Sequence, residues 1–390
     1  MAMTAYTPTT SSAITNYIPV MMTAASGVPR LDYDPVTGNP LGLLIEEQRT
    51  NLFTYSSDFT NAAWDKSNST ITAGAGLAPD GTQTVNHLTD NGLFVGVKAS
   101  ILRNISDTIN TKYAFSVYAK AAEYGYVEVQ LTDNSFNKYP VINLSNGSVS
   151  MGGGATLNSD LFVGNIGNGW FRITILGTTG PTSTILSFQV GGRPVGSNGN
   201  YSGNGYSGIY AWGAQLEVGP NATSYIPTTS AQVTRNVDVA MMTGNNLTSW
   251  YNQSQGTFFA NFQGGLDSSQ NGYGRIVSYN GATCFLSTNG STGSLGSWNG
   301  IQGMGTYSAS TDYWGVGGKG AVSYNINTNN ITLVESGMVQ QSYALAFPTN
   351  ISAIALGNNG GNSNVMNGHI RKLMYYRKAL SSANLIGLTS

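Results

Sequence analysis

The sequence contains little charge: Lys, Arg, Asp and Glu make up 9% of its 390 residues, against about 25% in an ordinary soluble domain. Surface helices are normally built with Glu, Lys and Arg, so a chain this poor in charge is not expected to be helical. Glycine and tyrosine are instead abundant, with 50 and 22 residues. The composition therefore predicts an all-β protein.

The sequence also lacks the features of several partner classes. Its formal net charge of -1 gives no electrostatic footprint for nucleic acid or for an anionic membrane, and we expect neither partner. No apolar run reaches the roughly 18 residues of a membrane-spanning helix, and the N-terminus shows no secretory signal pattern. Nothing in the sequence therefore directs export from the cytoplasm in which the chain is made.

Residues that carry enzyme chemistry are scarce. Cys284 is the single cysteine, so no internal disulfide can form, and its neighbours predict a buried strand with an inert thiol. His87 and His369 lie far apart in different predicted domains, which argues against a shared metal site. No CxxC, HExxH, P-loop or GxSxG pattern is present. We therefore predict no catalytic residues, no cofactor and no enzymatic activity.

The length of the chain favours more than one domain. Residues 57–226 and 227–390 each contain many short stretches with a period of two, separated by Gly, Asn and Ser turns. This pattern predicts two antiparallel β-sandwiches or jelly rolls. The predicted architecture is an extended N-terminal arm and anchoring segment, residues 1–56, followed by these two sandwich domains.

Residues 207–235 connect the two predicted sandwiches. Apolar residues alternate through most of residues 209–218, which predicts a closing strand of the first sandwich, with a bulge at Gly213. Residues 225–230, here called the strap, have neither charge nor helical period, and the first two are apolar anchors. We predict that the strap packs against a neighbouring surface, the alternative being a free linker between domains.

Charge is concentrated in residues 27–52, GVPRLDYDPVTGNPLGLLIEEQRTNL, together with strong turn signals. One reading makes two carboxylates a catalytic pair, as in glycosidases. The other pairs an arginine with a carboxylate to fix a hairpin or a subunit contact. We favour the second reading, because Glu46 and Glu47 are adjacent and point to opposite faces of a strand. The candidate anchoring residues are Arg30, Asp32, Asp34, Glu46, Glu47 and Arg49.

Aromatic residues in Gly-, Ser- and Asn-rich loops are candidate glycan contacts, because an exposed ring can stack on the apolar face of a sugar. Most aromatic residues of a sandwich nevertheless belong to its core. Asp80, in a Pro-Asp-Gly turn, is a weak calcium candidate for which a plain turn is the main expectation. The glycan-contact candidates are Tyr124, Tyr126, Tyr139 and Tyr206 in the first predicted sandwich, and Trp298, Tyr307, Tyr313 and Trp314 in the second.

Five stretches in order along nearly the whole chain carry a family resemblance. They are PRLDYDPVTGNPLGLLIEEQRTNL, YSSDFTNAAWDKS, GIYAWGAQLEVGPNATSYIPTTSAQVTRNVDVA, LTSWYNQSQGTFFANF and GHIRKLMYYRKALSSANL. Together they resemble structural proteins of tailed phages and prophages described as head spikes, head fibres or tail fibres. The resemblance implies a carbohydrate-binding-module jelly roll in the middle region and a laminin-G or concanavalin-A-like sandwich at the C-terminus. Sandwiches of this kind sometimes hold a structural calcium.

The resemblance also implies a position on the virion. A capsid or portal-vertex appendage is the main expectation, a tail-borne receptor-binding protein is the alternative, and a polysaccharide-degrading enzyme is the remote alternative. The absence of a fibrous repeat favours a compact spike, and phage spikes are usually homotrimers. A weakly charged surface rich in Gly and Tyr also favours a homo-oligomer, because such a surface resembles an interface. Host surface polysaccharide is the expected ligand, and we expect a chain lacking residues 1–55 to fold but not to join virions.

Overall fold

The structure is a computed structural model that describes residues 21, 24–25, 27–92, 99–151, 153–154, 160–194, 196, 201–264, 273–280, 283–289, 295–298, 317–335, 337–344, 350–361 and 363–390. Antiparallel ladders dominate these residues, so the predicted all-β class is confirmed. Among the described residues, neither helix has the length and apolarity needed to cross a membrane.

The strands and helices follow one another closely along the chain. The first half contains β1 (Leu31–Tyr33), β2 (Pro40–Ile45), β3 (Arg49–Asn51), β4 (Asp65–Ser67), β5 (Ser69–Ala73), β6 (Asn86–Asp90), β7 (Ser100–Ser106), β8 (Lys112–Ala121), β9 (Tyr126–Thr132), β10 (Asn137–Lys138), β11 (Val141–Asn143), β12 (Val149–Met151), β13 (Leu161–Asn165), β14 (Trp170–Thr178), β15 (Ile185–Arg193) and β16 (Gly208–Val218). The second half contains β17 (Val233–Arg235), β18 (Ala240–Thr243), α1 (Asn245–Thr248), β19 (Gln255–Gln263), β20 (Tyr273–Tyr279), β21 (Thr283–Asn289), β22 (Leu295–Trp298), β23 (Gly318–Asn325), β24 (Asn330–Glu335), β25 (Met338–Ala344), β26 (Ala353–Leu356), β27 (Gly368–Tyr376) and α2 (Ser382–Thr389).

The first sandwich packs two sheets face to face. One sheet has the strand order β12-β11-β9-β15-β7-β4, with β10 beside β9, and the other has the order β13-β14-β8-β16-β6-β5. Side chains alternate along each strand, so one face of each sheet enters the shared core. Phe115, Val129 and Phe188 are at most 1% exposed there. The core of this sandwich therefore lies between β8 of one sheet and β9 and β15 of the other.

The second sandwich packs the order β1-β2-β27-β19-β23-β24-β25 against β18-β26-β20-β21-β22. Its core includes Phe258 and Ile354, both 0% exposed. Helix α2 covers the outer face of the larger sheet, where Leu385 packs with Phe259. The helix begins after Ser381, whose Oγ accepts a hydrogen bond from the Asn384 amide at 3.4 Å. Serine is a favoured N-cap residue, because its hydroxyl can accept from an amide of the first helical turn.

Residues 27–56, here called the signature, are shared between the two sandwiches. Strands β1 and β2 form one edge of the larger sheet of the second sandwich, where Leu43 pairs with Ile370. Strand β3 pairs with β17, and Phe53, at 0% exposure, lies in the core of the first sandwich. A chain lacking residues 1–55 would lose two strands of one sandwich and a core ring of the other. These losses weigh against the expectation that such a chain folds normally.

The closing strand has the predicted form. β16 pairs with β8, and the register shifts between Trp212 and Gln215, around Gly213 at a φ of 63°. This is the predicted bulge, and glycine adopts that backbone conformation without the steric cost of a Cβ. Trp212 is 1% exposed and packs on the outer side of its sheet with Tyr118 and Trp170.

The strap is hydrogen-bonded to the closing strand of the first sandwich and to the signature. The Ile226 amide donates to Gln215 Oε1 at 2.6 Å, and the Ile226 carbonyl accepts from Asn51 Nδ2 at 2.9 Å. The Thr228 amide donates to Ser56 Oγ at 2.9 Å. Because Ile226 is also only 3% exposed, the prediction of a docked strap is confirmed over the free linker.

Candidate functional site

An ion cluster joins the signature to the segment after the strap. The Arg30 guanidinium donates to Glu46 Oε2 at 2.7 Å, to Asp238 Oδ2 at 2.5 Å and to Ser224 Oγ at 2.7 Å. Arg235 adds a second cation, with its Nη2 3.6 Å from Glu46 Oε2. The predicted pairing of Arg30 with a carboxylate is confirmed. Sequence reasoning missed Asp238, which lies 208 residues further along the chain.

The ion cluster controls the ionisation of its central groups. Burial alone would raise the pKa of Glu46, but the positive charges of Arg235 and Arg30 outweigh it and hold this pKa below its ordinary value. Burial likewise opposes the charge of Arg30, yet Glu46 and Asp238 raise its pKa overall. The Ser224 amide, just before the strap, donates to Glu46 Oε1 at 2.8 Å. The cluster therefore ties the signature to both ends of the strap.

Glu47, the next residue along the chain, has partners different from those of Glu46. Its carboxylate forms an ion pair with Arg49, and both side chains are at most 7% exposed. Glu47 Oε1 also accepts from Asn367 Nδ2 at 3.0 Å. Each glutamate is therefore held by a different arginine, which is the arginine–carboxylate pairing that the structural reading predicts.

The remaining acidic candidates serve local structure. Asp32 Oδ2 lies 2.8 Å from His369 Nε2, which links β1 to β27 across β2. Asp34 Oδ1 accepts from the Thr37 amide at 2.7 Å and closes the turn before β2. Asp80 accepts from the Thr82 amide at 2.9 Å in a plain turn. The described residues bring no three His, Cys, Asp or Glu side chains together around a metal-sized space.

Tyr124 is a loop anchor rather than an exposed ring. It is 7% exposed and its hydroxyl donates to Asp90 Oδ2 at 2.6 Å. Burial and this hydrogen bond raise the pKa of Tyr124. The buried Asp90 also accepts from the amides of Gly92 and Gly205 at 3.0 Å and 2.6 Å. The Tyr124 ring is therefore not accessible to a sugar. Through Asp90, Tyr124 instead holds the two loops that contain Gly92 and Gly205.

The other aromatic candidates differ in exposure. Tyr206, next to the anchored Gly205, is 66% exposed, and Tyr139, between β10 and β11, is 39% exposed. Tyr126 is half-buried at the start of β9 and accepts from Asn143 Nδ2 at 3.4 Å. In the second sandwich Trp298 ends β22, and the candidates outside the described residues are Tyr307, Tyr313 and Trp314.

Polar side chains cover the outer face of the sheet that contains β9. Val129 and Leu131 point into the core, so alternation turns Gln130 and Thr132 outward. In the ladder Gln189 is opposite both Gln130 and Leu102. A parallel row places Ser187 opposite both Thr132 and Asn104. We call this surface the amide face, and define it by Leu102, Asn104, Gln130, Thr132, Ser187 and Gln189.

Hydrogen bonds orient the two glutamines of the amide face. Gln130 Nε2 donates to Asn137 Oδ1 at 2.8 Å, and Gln189 Nε2 donates to Ser100 Oγ at 2.5 Å. Both glutamines are half-buried and Asn104 is exposed, so the face is open to a ligand. Sequence reasoning missed this face, because alternation shows which residues point outward but not which strands are neighbours.

A buried ion pair closes one end of the amide face. Arg193, the last residue of β15, contacts the Glu128 carboxylate on β9, and their side chains are 9% and 3% exposed. In the ladder Arg193 is opposite Tyr126. The tyrosine predicted as a glycan contact therefore lies beside this pair, at the margin of the amide face.

No protein family and no curated protein matches the chain. Solved structures similar to it include the Ruminococcus gnavus IT-sialidase CBM40, with 20% identity and a TM-score of 0.30 over 37% of this chain and 88% of that chain. Mouse laminin alpha1 chain domains LG4-5 show 13% identity and a TM-score of 0.25 over 80% of this chain and 92% of that chain. A putative carbohydrate binding protein from Bacteroides ovatus shows 11% identity and a TM-score of 0.28 over 72% of this chain and 80% of that chain. At these identities and TM-scores the similarity carries no argument about function.

Proposed function

We propose that this chain is a non-enzymatic surface component of a tailed-phage virion, a capsid-attached spike or decoration protein that adheres to host or environmental glycans. The observation that carries the adhesive part is the amide face, where the neutral polar side chains of Gln130, Gln189, Thr132 and Ser187 occupy paired positions on two neighbouring strands. The virion position is supported by the five sequence stretches, in order, that resemble phage structural proteins.

The chemistry of the amide face suits sugar hydroxyls. A hydroxyl both donates and accepts hydrogen bonds, and so does the amide of Gln130 or Gln189. The hydroxyls of Thr132 and Ser187 form a second row beside the amides; Thr132 Oγ1 already donates to the Phe136 carbonyl at 2.9 Å and can accept from a ligand. Tyr139, exposed next to β10, offers a ring that can stack on the apolar face of a sugar. These groups together supply the polar and apolar contacts that glycan binding needs.

A non-catalytic role is supported by the partners of the carboxylates. Glycosidases use two carboxyl groups that flank one bond. In the signature, Glu46 and Glu47 are bound by separate arginines and buried at 7% and 5% exposure. The remote alternative of a polysaccharide-degrading enzyme predicts new reducing ends after incubation with host surface polysaccharide. We expect none, and a time-dependent increase would establish the alternative.

The proposed assembly is a homotrimer mounted on the capsid or its portal vertex. The low surface charge supports it, because Lys and Glu normally dominate a free surface. Light scattering of the purified chain should give three times the mass of 41.0 kDa. A monomer at micromolar concentration would contradict the trimer.

Two experiments test the proposed function. Antibody against this chain should label phage heads in electron micrographs, whereas label at the tail would support the alternative of a tail-borne receptor-binding protein. Purified chain should bind intact host cells, and enzymatic removal of the surface polysaccharide should abolish this binding. Binding that survives removal of the polysaccharide would contradict glycan adhesion.

A further inference from the structure

We infer that the amide face binds uncharged, hydroxyl-rich glycan chains several sugars long and rejects acidic ones, an inference that rests on the proposed adhesive function. The starting observation is the distribution of charge. Within the described residues, the groups on this side of the sheet that carry charge are the Glu128 and Arg193 pair, two and four residues along β9 and β15 from Gln130 and Gln189, and Asp65, across the strands on β4. Asp65 is exposed and lies opposite Leu102 in the ladder.

The cation at the end of the face is engaged by the protein. Recognition of a sugar carboxylate normally requires an arginine or lysine that is open to the ligand. The Arg193 side chain is 9% exposed and contacts the Glu128 carboxylate. Separating this buried pair to bind an external anion would leave Glu128 buried without its partner, which is costly.

The charge at the β4 end of the row disfavours an acidic chain directly. The exposed Asp65 carboxylate would lie near any ligand that follows the row from Gln130 through Gln189 to Leu102. A negatively charged glycan along this row would be repelled by it, and a neutral glycan would not. Among the described residues, the charge at the end of the row is therefore an exposed carboxylate, and the cation beside the face, Arg193, is held by Glu128.

The neutral groups of the face favour hydroxyls instead. Burying an uncharged amide or hydroxyl against a sugar costs less desolvation than burying a charge. Thr132 and Ser187 are adjacent across the ladder, as are Gln130 and Gln189. Pairs of neighbouring donors and acceptors match the neighbouring hydroxyls of a sugar ring. The face thus recognises a hydroxyl pattern rather than a charge.

The dimensions of the row point to a chain of sugars. Asp65, Leu102, Gln189 and Gln130 are cross-strand neighbours on β4, β7, β15 and β9. Strands lie about 4.8 Å apart, so the row is about 14 Å long. That length exceeds a single monosaccharide. Affinity should therefore increase with the number of sugars until the row is filled.

The test uses the full chain and defined polysaccharides. Neutral probes are dextran and galactan, acidic probes are hyaluronan and polysialic acid, and binding is measured at about 50 mM and about 500 mM NaCl. We expect the chain to bind a neutral probe, with less than about a twofold change in affinity between the two salt concentrations, because charge screening does not affect uncharged contacts. Acidic probes should not compete.

Variants locate the binding to the face. The double substitution Gln130→Ala and Gln189→Ala should weaken binding of the neutral probe at least about tenfold, since two hydrogen-bonding side chains are lost. Gln83→Ala, at an exposed turn that belongs to the other side of the sandwich, is the matched control and should bind normally. Ser187→Arg adds bulk and a cation without removing an amide, and should also weaken neutral binding. Unfolding midpoints check that each variant is folded.

The outcomes separate the inference from the proposed function. Salt-sensitive binding to acidic probes alone would overturn the inference and leave adhesion standing. Neutral binding that survives both the double substitution and Ser187→Arg would move the site away from the amide face. If neither purified glycans nor host cells bind, the inference and the adhesive function are both overturned.

Discussion

The rings of Tyr225 and Trp212 lie 4.5 Å apart between centroids, tilted by 52°. Tyr225 is the first residue of the strap and Trp212 lies in the closing strand of the first sandwich. The Tyr225 hydroxyl also lies 2.7 Å from Ser56 Oγ, so this residue contacts both the closing strand and the end of the signature. The strap is thus held by packing as well as by hydrogen bonds, which fixes the path of the chain between the sandwiches.

Replacing Trp212 with Ala should destabilise the chain by about 3–5 kcal/mol. The substitution empties a large buried aromatic site, removes the contact with Tyr225 and breaks the hydrogen bond from Trp212 Nε1 to Thr84 Oγ1 at 2.8 Å. Urea unfolding measures the loss. Tyr206→Ala, at a 66% exposed ring, is the control and should change stability by less than about 0.5 kcal/mol. Equal effects of the two substitutions would contradict the packing role of Trp212.

Limited proteolysis should leave the strap intact. Cleavage requires the backbone to open locally, and the amides of Ile226 and Thr228 are bonded to buried side chains. A broad-specificity protease followed by mass spectrometry should therefore show early cuts elsewhere. Ile226→Ala is the matched variant, and we expect it to become sensitive because the 3% exposed anchor is lost. Rapid cleavage of the unmodified chain between Gly219 and Arg235 would show that the strap is a tether.

Acid should destabilise the chain partly through Glu46. Its pKa in the folded chain lies below the ordinary value of 4.5, so its contribution is present above that value and is lost as pH falls through the lower, folded pKa. The midpoint of urea unfolding should therefore fall between about pH 5 and about pH 3. Asp32 contributes in the same direction, since hydrogen bonds from His369 and the Tyr33 amide outweigh burial and lower its pKa.

The substitution Glu46→Gln isolates the contribution of the ion cluster to the loss of stability in acid. The amide keeps the shape of the side chain but does not titrate in this range. The variant should be less stable than the original chain at pH 7 and should lose less stability on acidification. A pH profile parallel to that of the original chain would show that Glu46 contributes nothing to acid sensitivity.

The elements that the sequence predicted are those fixed by local chemistry. The bulge at Gly213 and the alternation of the closing strand β16 each depend on residues within one strand. The ion cluster could be predicted only in part. Arg30 and Glu46 are 16 residues apart and share the charged signature, whereas Asp238 comes to them through the pairing of distant strands.

In the candidate site, too, local features could be predicted from the sequence and contacts between distant residues could not. Turn composition identified Tyr206 as exposed, because its loop is polar and carries two glycines. It could not show that Tyr124 is buried, since the partner of Tyr124, Asp90, lies 34 residues away. The amide face was missed for a related reason. Gln130 and Gln189 become neighbours only through the register of β9 with β15, and register depends on the packing of the whole sheet.

Gly42→Ala should loosen the attachment of the signature to the second sandwich. Gly42 has a φ of 108°, and a Cβ built on it would lie 2.3 Å from the Ile370 carbonyl oxygen on β27. The substitution combines backbone strain with a clash against backbone, so we expect the free energy of unfolding to fall by at least about 2 kcal/mol.

Gly38→Ala is the matched control in the adjacent turn. Its φ of 72° carries strain but its Cβ would meet nothing within 4 Å, so the cost should be about 1 kcal/mol. Hydrogen exchange of the β2 and β27 amides should be faster in Gly42→Ala than in Gly38→Ala. Equal exchange in the two variants would show that close approach at Gly42 does not hold the signature in the sheet.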